Sequence, residues 1–174
     1  MLARYDVVVI GAGPAGEGAA MKLVKEGRRV AVIDQLGEVG GNCAHVGTIP
    51  SKALRKTVYN LMRFRRDPLL SRMADIRSLP LSQVLARAHK VIDIQVTTHH
   101  RFFERNDVDL YYGEARFEDD HTMSVLTSEG VSERIGFESA VIATGSRPYQ
   151  PADIDFNHPR VFDSDKILKL DYPV

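Results

Sequence analysis

A glycine-rich segment, GAGPAG at residues 11–16, restricts the fold more than any other feature of the sequence. It is preceded by residues 5–10 (YDVVVI), which are β-branched and almost continuously apolar, as is typical of a parallel strand covered on both faces. Residues 17–26 carry apolar side chains at helical spacing, and residues 29–34 (RVAVID) again have the composition of a buried strand. The order therefore predicts a βαβ unit and a Rossmann-like α/β fold with a parallel sheet.

The spacing of the three glycines suits a site for the phosphates of a dinucleotide. Gly11 permits a tight turn, Gly13 lets a pyrophosphate approach the backbone, and Gly16 lets the helix pack closely on the strand. Amides at the start of the helix then face the phosphate charge. Asp34 ends the second strand, where its carboxylate can bind ribose hydroxyls and would repel a 2′-phosphate. The pattern leaves FAD and NAD both open, and the simplest alternative is a turn that binds nothing.

The remaining sequence alternates between helical and strand-like segments. Apolar residues recur at spacings of three and four along residues 81–106, which predicts a long helix, and a second helix is predicted at 50–65. We expect strands at 108–112, 115–118, 122–126 and 140–143. The middle strands suit a small antiparallel β-meander, and the last one is apolar enough to be buried. A short capped helix is expected at 164–168.

Composition excludes several classes of protein. The chain has 174 residues, and its 23 basic residues balance 23 acidic ones, so we expect no nucleic acid and no membrane surface to be bound through net charge. The longest apolar runs, 7–10 and 140–143, are far too short to span a bilayer. A single cysteine cannot form an internal disulfide, which fits a reducing compartment and predicts a cytoplasmic protein.

The cysteine lies in a distinctive segment, GGNCAHVGTIPSKAL at 40–54. This segment resembles the active-site segment of the pyridine nucleotide–disulfide oxidoreductases, the family of dihydrolipoamide dehydrogenase, glutathione reductase and mercuric reductase. VVVIGAGPAG at 7–16 is similar to the opening of FAD-binding two-dinucleotide-fold flavoproteins, and ATGSRP at 143–148 to the segment with which they return to the flavin pyrophosphate. The resemblance implies an FAD-binding domain that holds one non-covalent FAD per chain.

The segment departs from the family pattern at one position. The family carries two cysteines separated by four residues, and here Cys43 occupies the first position and Thr48 the second. A hydroxyl cannot form a disulfide, so a thiol relay by this pair is excluded. The soluble pyridine nucleotide transhydrogenases are a branch of the family with this feature, and EGAAMKLVKEGRRVAVID, FFERN and DSDKIL also resemble them. The resemblance implies a Si-specific NAD(P)+ transhydrogenase that moves hydride from NADPH to NAD+ through FAD.

The resemblance also assigns roles to individual residues. Asp34 would bind the adenosine ribose, Ala115 the adenine through its backbone, and Lys52 would favour the electron-rich reduced flavin by its positive charge. Cys43 and Thr48, at the positions of the redox disulfide, would lie beside the flavin ring. The residues expected to contact FAD are Gly11, Gly13, Pro14, Ala15, Gly16, Asp34, Gln35, Gly40, Gly41, Asn42, Cys43, Lys52, Ala115, Thr144, Gly145 and Ser146.

Simpler interpretations stay open for some of these residues. Lys52 can be a solvated helix lysine, and Cys43 can be a small buried apolar residue. No metal site is expected, because Cys43 and His45 lack a second pair of ligands, and the adjacent His99 and His100 point to different faces of a helix.

Domain organisation and function leave alternatives as well. We expect residues 1–150 to be the N-terminal part of the FAD-binding domain and 151–174 to lead toward an NAD(P)-binding domain, since the sequence contains one GxGxxG motif. The chain is thus interpreted as the N-terminal part of a longer, homo-oligomeric enzyme and is expected to be inactive alone. The alternatives are another flavoprotein of the dihydrolipoamide dehydrogenase or mercuric reductase type, a non-catalytic FAD-binding module, and an NAD-binding Rossmann domain.

Overall fold

A computed structural model describes residues 2–72 and 79–166. Within these residues the strands are β1 (Ala3–Ile10), β2 (Val30–Asp34), β3 (Asp109–Tyr112), β4 (Glu114–Asp119), β5 (Thr122–Leu126) and β6 (Ser132–Ile142). The helices are α1 (Pro14–Lys25), α2 (Gly41–His45), α3 (Thr48–Arg66) and α4 (Leu81–Arg105), and one 3-10 turn spans Leu70–Arg72. The strands form one six-stranded sheet in the order β3-β2-β1-β6-β5-β4. The predicted α/β fold is confirmed.

The predicted βαβ unit is formed by β1, α1 and β2. The strands β1 and β2 pair in parallel, and β3 extends the parallel part on the far side of β2. The helix α1 begins at Pro14, earlier than the predicted residue 17, because proline is well suited to the first helical position, where its missing N–H costs no bond. Its last residue is Lys25, and the helix is closed as predicted by Gly27, which has φ +78° and donates its N–H to Val24 O at 2.9 Å.

The strand β6 is longer than predicted and joins the two halves of the sheet. Its carboxyl-terminal part, including the predicted residues 140–143 up to Ile142, pairs in parallel with β1. Its first residues pair antiparallel with β5, so the predicted meander continues the main sheet. The first half escaped prediction because exposed charged residues, Glu133 and Arg134, precede the buried Ile135 and interrupt the apolar pattern.

Both faces of the parallel strands are covered, as their continuous apolar sequences predict. On one face, valines of β1 and β2 form a cluster with Ala20 of α1 and with Phe103 of α4, which is 0% exposed. On the other face, Val8, Ala31 and Ile33 pack with apolar residues of the antiparallel strands. Burial of such side chains contributes about 1.5–3 kcal/mol each relative to exposure. The sheet is therefore a rigid base for the loops at its edge.

The chain divides into two compact units. The sheet unit comprises residues 1–42 and 95–146, and the helical unit comprises residues 43–94 and 147–174. The apolar face that the spacing predicts for the long helix, α4, is confirmed at Leu85 and Ala88, which are both buried. The domain boundary near residue 150 stays a prediction.

The stretch 147–166 contains no helix or strand and is organised by side-chain contacts. Gln150 donates to Asp163 at 2.7 Å, and Lys166 Nζ donates to Phe156 O at 2.8 Å. Residues 164–166 of the predicted short helix form a turn, and its residues 167–168 lie outside the described part of the chain. Across residues 2–72 and 79–166, no helix is both long and apolar enough to cross a bilayer.

Candidate cofactor site

At the edge of the sheet where β1 ends, the chain connections on the two sides of β1 run in different directions. A ligand can bind in the space between them. The helix α1 leads from β1 to β2 on one side, while β6 is the neighbour of β1 on the other. Ligands of open α/β sheets bind at this kind of switch point, outside the carboxyl ends of the strands. The turn after β1 is tied to both neighbours: Gly11 N–H donates to Ile33 O at 2.7 Å, and Ala143 N–H donates to Ile10 O at 2.8 Å.

Two of the three glycines are required by close backbone packing. Gly11 has φ +107°, and a Cβ atom there would lie 2.3 Å from Ala143 O. A Cβ atom on Gly16 would lie 1.9 Å from Gly11 O and 3.2 Å from a methyl group of Val9. The predicted conformational roles of Gly11 and Gly16, a tight turn and close helix packing, are therefore confirmed.

Gly13 differs from the other two glycines because its surroundings are open. Its φ is −76°, which any residue can adopt, and the nearest atom to a Cβ added there would be Gly41 Cα at 3.8 Å. Packing within the protein therefore does not explain why residue 13 is a glycine. It leaves the backbone accessible, as the approach of a phosphate requires.

The first turn of α1 offers unused hydrogen-bond donors. Pro14 has no N–H, and the first amide of the helix that finds a carbonyl acceptor in the described part of the chain is that of Glu17, which donates to Gly13 O at 2.9 Å. The amides of Ala15 and Gly16 therefore remain free to bind an anion, and the helix dipole favours negative charge there.

Asp34 is fixed beside the turn by its own hydrogen bonds. One carboxylate oxygen accepts from Ala12 N–H at 2.9 Å, and the other accepts from Leu36 N–H at 2.9 Å. The carboxylate is half-buried, and each oxygen keeps a second lone pair for a ribose hydroxyl. The predicted acidic group thus stands at the strand end next to the glycine-rich turn, and Gln35, which follows it, is exposed.

Tyr112 is a residue of this edge that the sequence did not reveal. It is paired in register with Asp34 on the neighbouring strand, and its hydroxyl lies 3.5 Å from His100 Nδ1. Burial, and then the negative charges of Asp34 and Glu104, raise the pKa of Tyr112 above its ordinary value, so the hydroxyl stays a hydrogen-bond donor. The position of Tyr112 beside Asp34 follows from the strand order, with β3 next to β2, and local sequence does not indicate it.

The segment before the helix predicted at 50, for which the sequence indicated no helix, is largely helical. Residues 41–45 form α2, and α3 begins at Thr48. Two glycines adopt positive φ at the start of α2, at +101° for Gly40, which precedes the helix, and +53° for Gly41, its first residue. Pro50 lies in the first turn of α3, where its missing N–H breaks no helical bond.

Three predicted segments meet at the sheet edge. Gly40 N–H donates to Ala12 O at 2.8 Å, and a Cβ atom on Gly41 would lie 2.8 Å from Gly13 Cα. Asn42 Nδ2 donates to Ser146 O at 2.7 Å, which joins the second segment to the third. Thr144, Gly145 and Ser146 are exposed at this edge, with Gly145 at φ +72°.

The other predicted site residues belong to other elements of the chain. Cys43, Thr48 and Lys52 belong to the helical unit; Cys43 is half-buried with a free thiol, and the other two are exposed. Ala115 lies on β4 opposite Val125 and packs against the second core cluster. Among the described residues, no group of three or more histidine, cysteine, aspartate or glutamate side chains could hold a metal ion.

Comparisons with known proteins identify the family of this chain. Residues 5–172 match the family model described as pyridine nucleotide-disulphide oxidoreductase. The chain is 52% identical over 169 residues to the soluble pyridine nucleotide transhydrogenase of Stutzerimonas stutzeri (strain A1501). The matched region covers 97% of this chain and 36% of the relative. The chain is also 52% identical over 167 residues to that of Azotobacter vinelandii, covering 96% of this chain and 36% of the relative. The chain therefore spans about a third of the length of these relatives.

Solved structures give the same picture of the fold. The Cu(II) complex of the HOCl-induced flavoprotein disulfide reductase RclA from Escherichia coli superposes with a TM-score of 0.78 at 27% identity, covering 98% of this chain and 35% of that protein. LpdA from Mycobacterium tuberculosis superposes with a TM-score of 0.82 over 98% of this chain and 38% of its own, and at 22% identity it is similar in fold alone.

Proposed function

Because this chain belongs to the pyridine nucleotide-disulphide oxidoreductase family, we propose that it is the FAD-binding part of a soluble transhydrogenase, which moves hydride reversibly from NADPH to NAD+ through FAD. The names of relatives at 52% identity support the reaction. The observation that carries the cofactor is the open backbone at Gly13 beside the free amides of Ala15 and Gly16. These groups suit a diphosphate, and the fixed Asp34 carboxylate suits a ribose.

The residues at the sheet edge suit FAD because they provide hydrogen-bonding groups and leave the backbone at Gly13 uncovered. Ala15 and Gly16 would donate amide hydrogens to the diphosphate, and Asp34 would accept from the adenosine ribose. Thr144, Gly145 and Ser146 would close over the cofactor, and the bond from Asn42 to Ser146 holds that segment in place. When bound, FAD supplies the group that accepts hydride from one nicotinamide and returns it to another.

Thr48 distinguishes the transhydrogenase from the dithiol-dependent members of the family. With a hydroxyl at this position, the free thiol of Cys43 has no partner for a disulfide, so electrons would not leave the flavin through this segment. We further propose that Lys52 places positive charge near the flavin and that the active enzyme is a cytoplasmic homo-oligomer. Because the chain spans 36% of the relatives' length, its activity in isolation is proposed to be very low.

A binding titration tests the cofactor assignment. The purified chain is titrated with FAD by flavin fluorescence, alongside the variants Gly13→Ala and Gly18→Ala. A methyl group at Gly13 meets only ordinary contacts in the protein, so we expect an unchanged unfolding midpoint but FAD binding weakened at least about 10-fold, since one lost phosphate contact costs about 1.5–3 kcal/mol. Gly18 has open space around it, and its variant should bind as the wild type does. Equal binding by Gly13→Ala, or binding of NAD in preference to FAD, would contradict the assignment.

A second experiment tests the reaction in the complete enzyme. In a protein that joins this chain to the remainder of a relative's length, NADPH should bleach the flavin absorbance and NAD+ should restore it. The chain alone should show no steady transfer of hydride from NADPH to an NAD+ analogue. Dithiol-dependent turnover in the complete enzyme would instead favour a dihydrolipoamide dehydrogenase-like activity.

A further inference from the structure

A partly buried side-chain contact links the helix α1 to the long helix α4. Glu17 is in the first turn of α1, one position after Gly16, and its carboxylate oxygen Oε2 is in contact with Nδ1 of His99. Both side chains are largely shielded from solvent, with 17% of Glu17 and 20% of His99 exposed. The contact lies entirely within the sheet unit, and a carboxylate can only accept, so the imidazole ring must donate.

The carboxylate of Glu17 belongs to the first turn of α1, the end of the helix that would face an anionic ligand. An acidic side chain in the first turn stabilises the helix itself, because it faces the positive end of the helix dipole. The same charge at the same end repels a diphosphate, and partial burial strengthens this repulsion by lowering the local dielectric constant. A helix start that binds phosphate therefore requires a compensating donor for this carboxylate.

His99 is held firmly enough to be that donor. Its ring makes an edge contact with Phe102 at 6.5 Å between centroids. The next residue, Phe103, is fully buried in the core cluster that includes Val7 and Val9 of β1. The helix α4 is thus anchored to the sheet by the residues that follow His99, which fixes the backbone of His99 beside α1.

We propose that His99 is a positioning residue for FAD binding. By donating to Glu17 it offsets the negative charge at the start of α1 and directs the carboxylate toward α4, so that the amides of Ala15 and Gly16 remain able to receive the diphosphate. This inference rests on the proposed function of the chain as an FAD-binding protein. The affinity for FAD then depends on a residue of α4 as well as on the glycine-rich turn.

Four variants of the chain test the proposal by FAD titration and by thermal unfolding. His99→Leu removes the donor and leaves Glu17 unpaired, so the dissociation constant for FAD should rise about 10-fold or more in the folded protein. Glu17→Gln removes the charge and should bind FAD at least as tightly as the wild type. The double variant Glu17→Gln/His99→Leu should bind within about twofold of Glu17→Gln, because the charge that His99 offsets is gone. His89→Leu, at an exposed position of α4, should bind as the wild type does.

Each outcome separates the alternatives. If His99 only stabilised the fold, His99→Leu would lower the unfolding midpoint with no change in FAD affinity, and this result would overturn the proposal. A loss of FAD affinity in His99→Leu that persists in the double variant would overturn it as well. If His99→Leu does not fold, His99→Arg keeps a donor and should bind within about threefold of wild type, and weaker binding by Glu17→Gln would overturn the proposal. A folded wild-type chain that binds no FAD would instead refute the proposed function itself.

Discussion

The two glycine-rich turns of this chain, at residues 11–16 and at residues 40–41, both lead into helices, but they differ in what surrounds their backbone. The first is enclosed by backbone: a Cβ atom on Gly11 or Gly16 would overlap a carbonyl oxygen. The second rests on the first through Gly40 and Gly41 and leads to α2, a helix of five residues, and then to α3 with its exposed Thr48. The first turn therefore depends on the absence of side-chain atoms, whereas the second presents side chains.

This difference determines how each turn responds to mutation. Adding a methyl group at Gly11 or Gly16 damages the fold together with the proposed phosphate site, since both use the same backbone. Changing an exposed side chain after the second turn alters the chemistry and leaves the fold intact, because surface substitutions change stability by no more than about 0.5 kcal/mol. The three predictions below test this distinction in order of decreasing effect on stability.

The largest loss of stability is expected from Gly16→Ala. Its Cβ would lie 1.9 Å from Gly11 O, so α1 would have to shift away from the turn, at a cost of about 3 kcal/mol in the free energy of unfolding. Gly18→Ala in the same helix meets nothing within 4 Å and should stabilise the chain by about 0.5–1 kcal/mol. Urea unfolding of both variants measures the difference. Equal stability of the two would show that the first turn tolerates added atoms.

An intermediate effect is expected from Gly41→Ala, which tests the contact between the two turns. Its positive φ alone costs an alanine about 1–2 kcal/mol, and its Cβ would also press on Gly13 Cα at 2.8 Å. Gly37→Ala, with φ +70° and open space around it, carries only the first of these costs. We expect Gly41→Ala to be the less stable variant and the only one of the two with weakened FAD binding. Matching unfolding curves and FAD affinities would mean that the turns do not support each other.

The smallest effect on stability is expected from Lys52→Met. Lys52 is exposed, so the unfolding midpoint should stay unchanged. If its charge favours reduced flavin, the flavin potential of the complete enzyme should become more negative, as measured by spectroelectrochemical titration. The control is Lys56→Met, one turn later on α3, where the ammonium lies 5.8 Å from the Tyr59 ring centroid. The same potential in both variants would exclude Lys52 from the residues that tune the flavin.

The sequence predicted what local pattern determines. The βαβ unit, the conformations of Gly11 and Gly16, the end of α1 at Gly27 and the long helix all follow from periodicity and from the special properties of glycine. The helix α2 was missed because two glycines before a short polar stretch are the usual signal for a loop.

The features that escaped prediction depend on tertiary contacts. Tyr112 belongs to the site edge only because β3 pairs with β2. The pair of Glu17 and His99 joins residues 82 positions apart, and no local pattern in the sequence marks either side chain as the partner of the other. Local sequence patterns thus predict the backbone conformation of the candidate site. Its side-chain contacts depend on how elements distant in sequence pack together.

The dual pairing of β6 has a consequence for how this protein is made. The ladder with β1, and the bond from Asn42 to Ser146 across 104 positions, join the beginning of the chain to a segment that a ribosome delivers much later. Until that segment emerges, β1 has an open edge and the phosphate loop lacks one wall. Nascent chains should therefore acquire affinity for flavin abruptly, once about 146 residues and the length of the exit tunnel have been translated, and remain vulnerable to edge pairing and proteolysis until then.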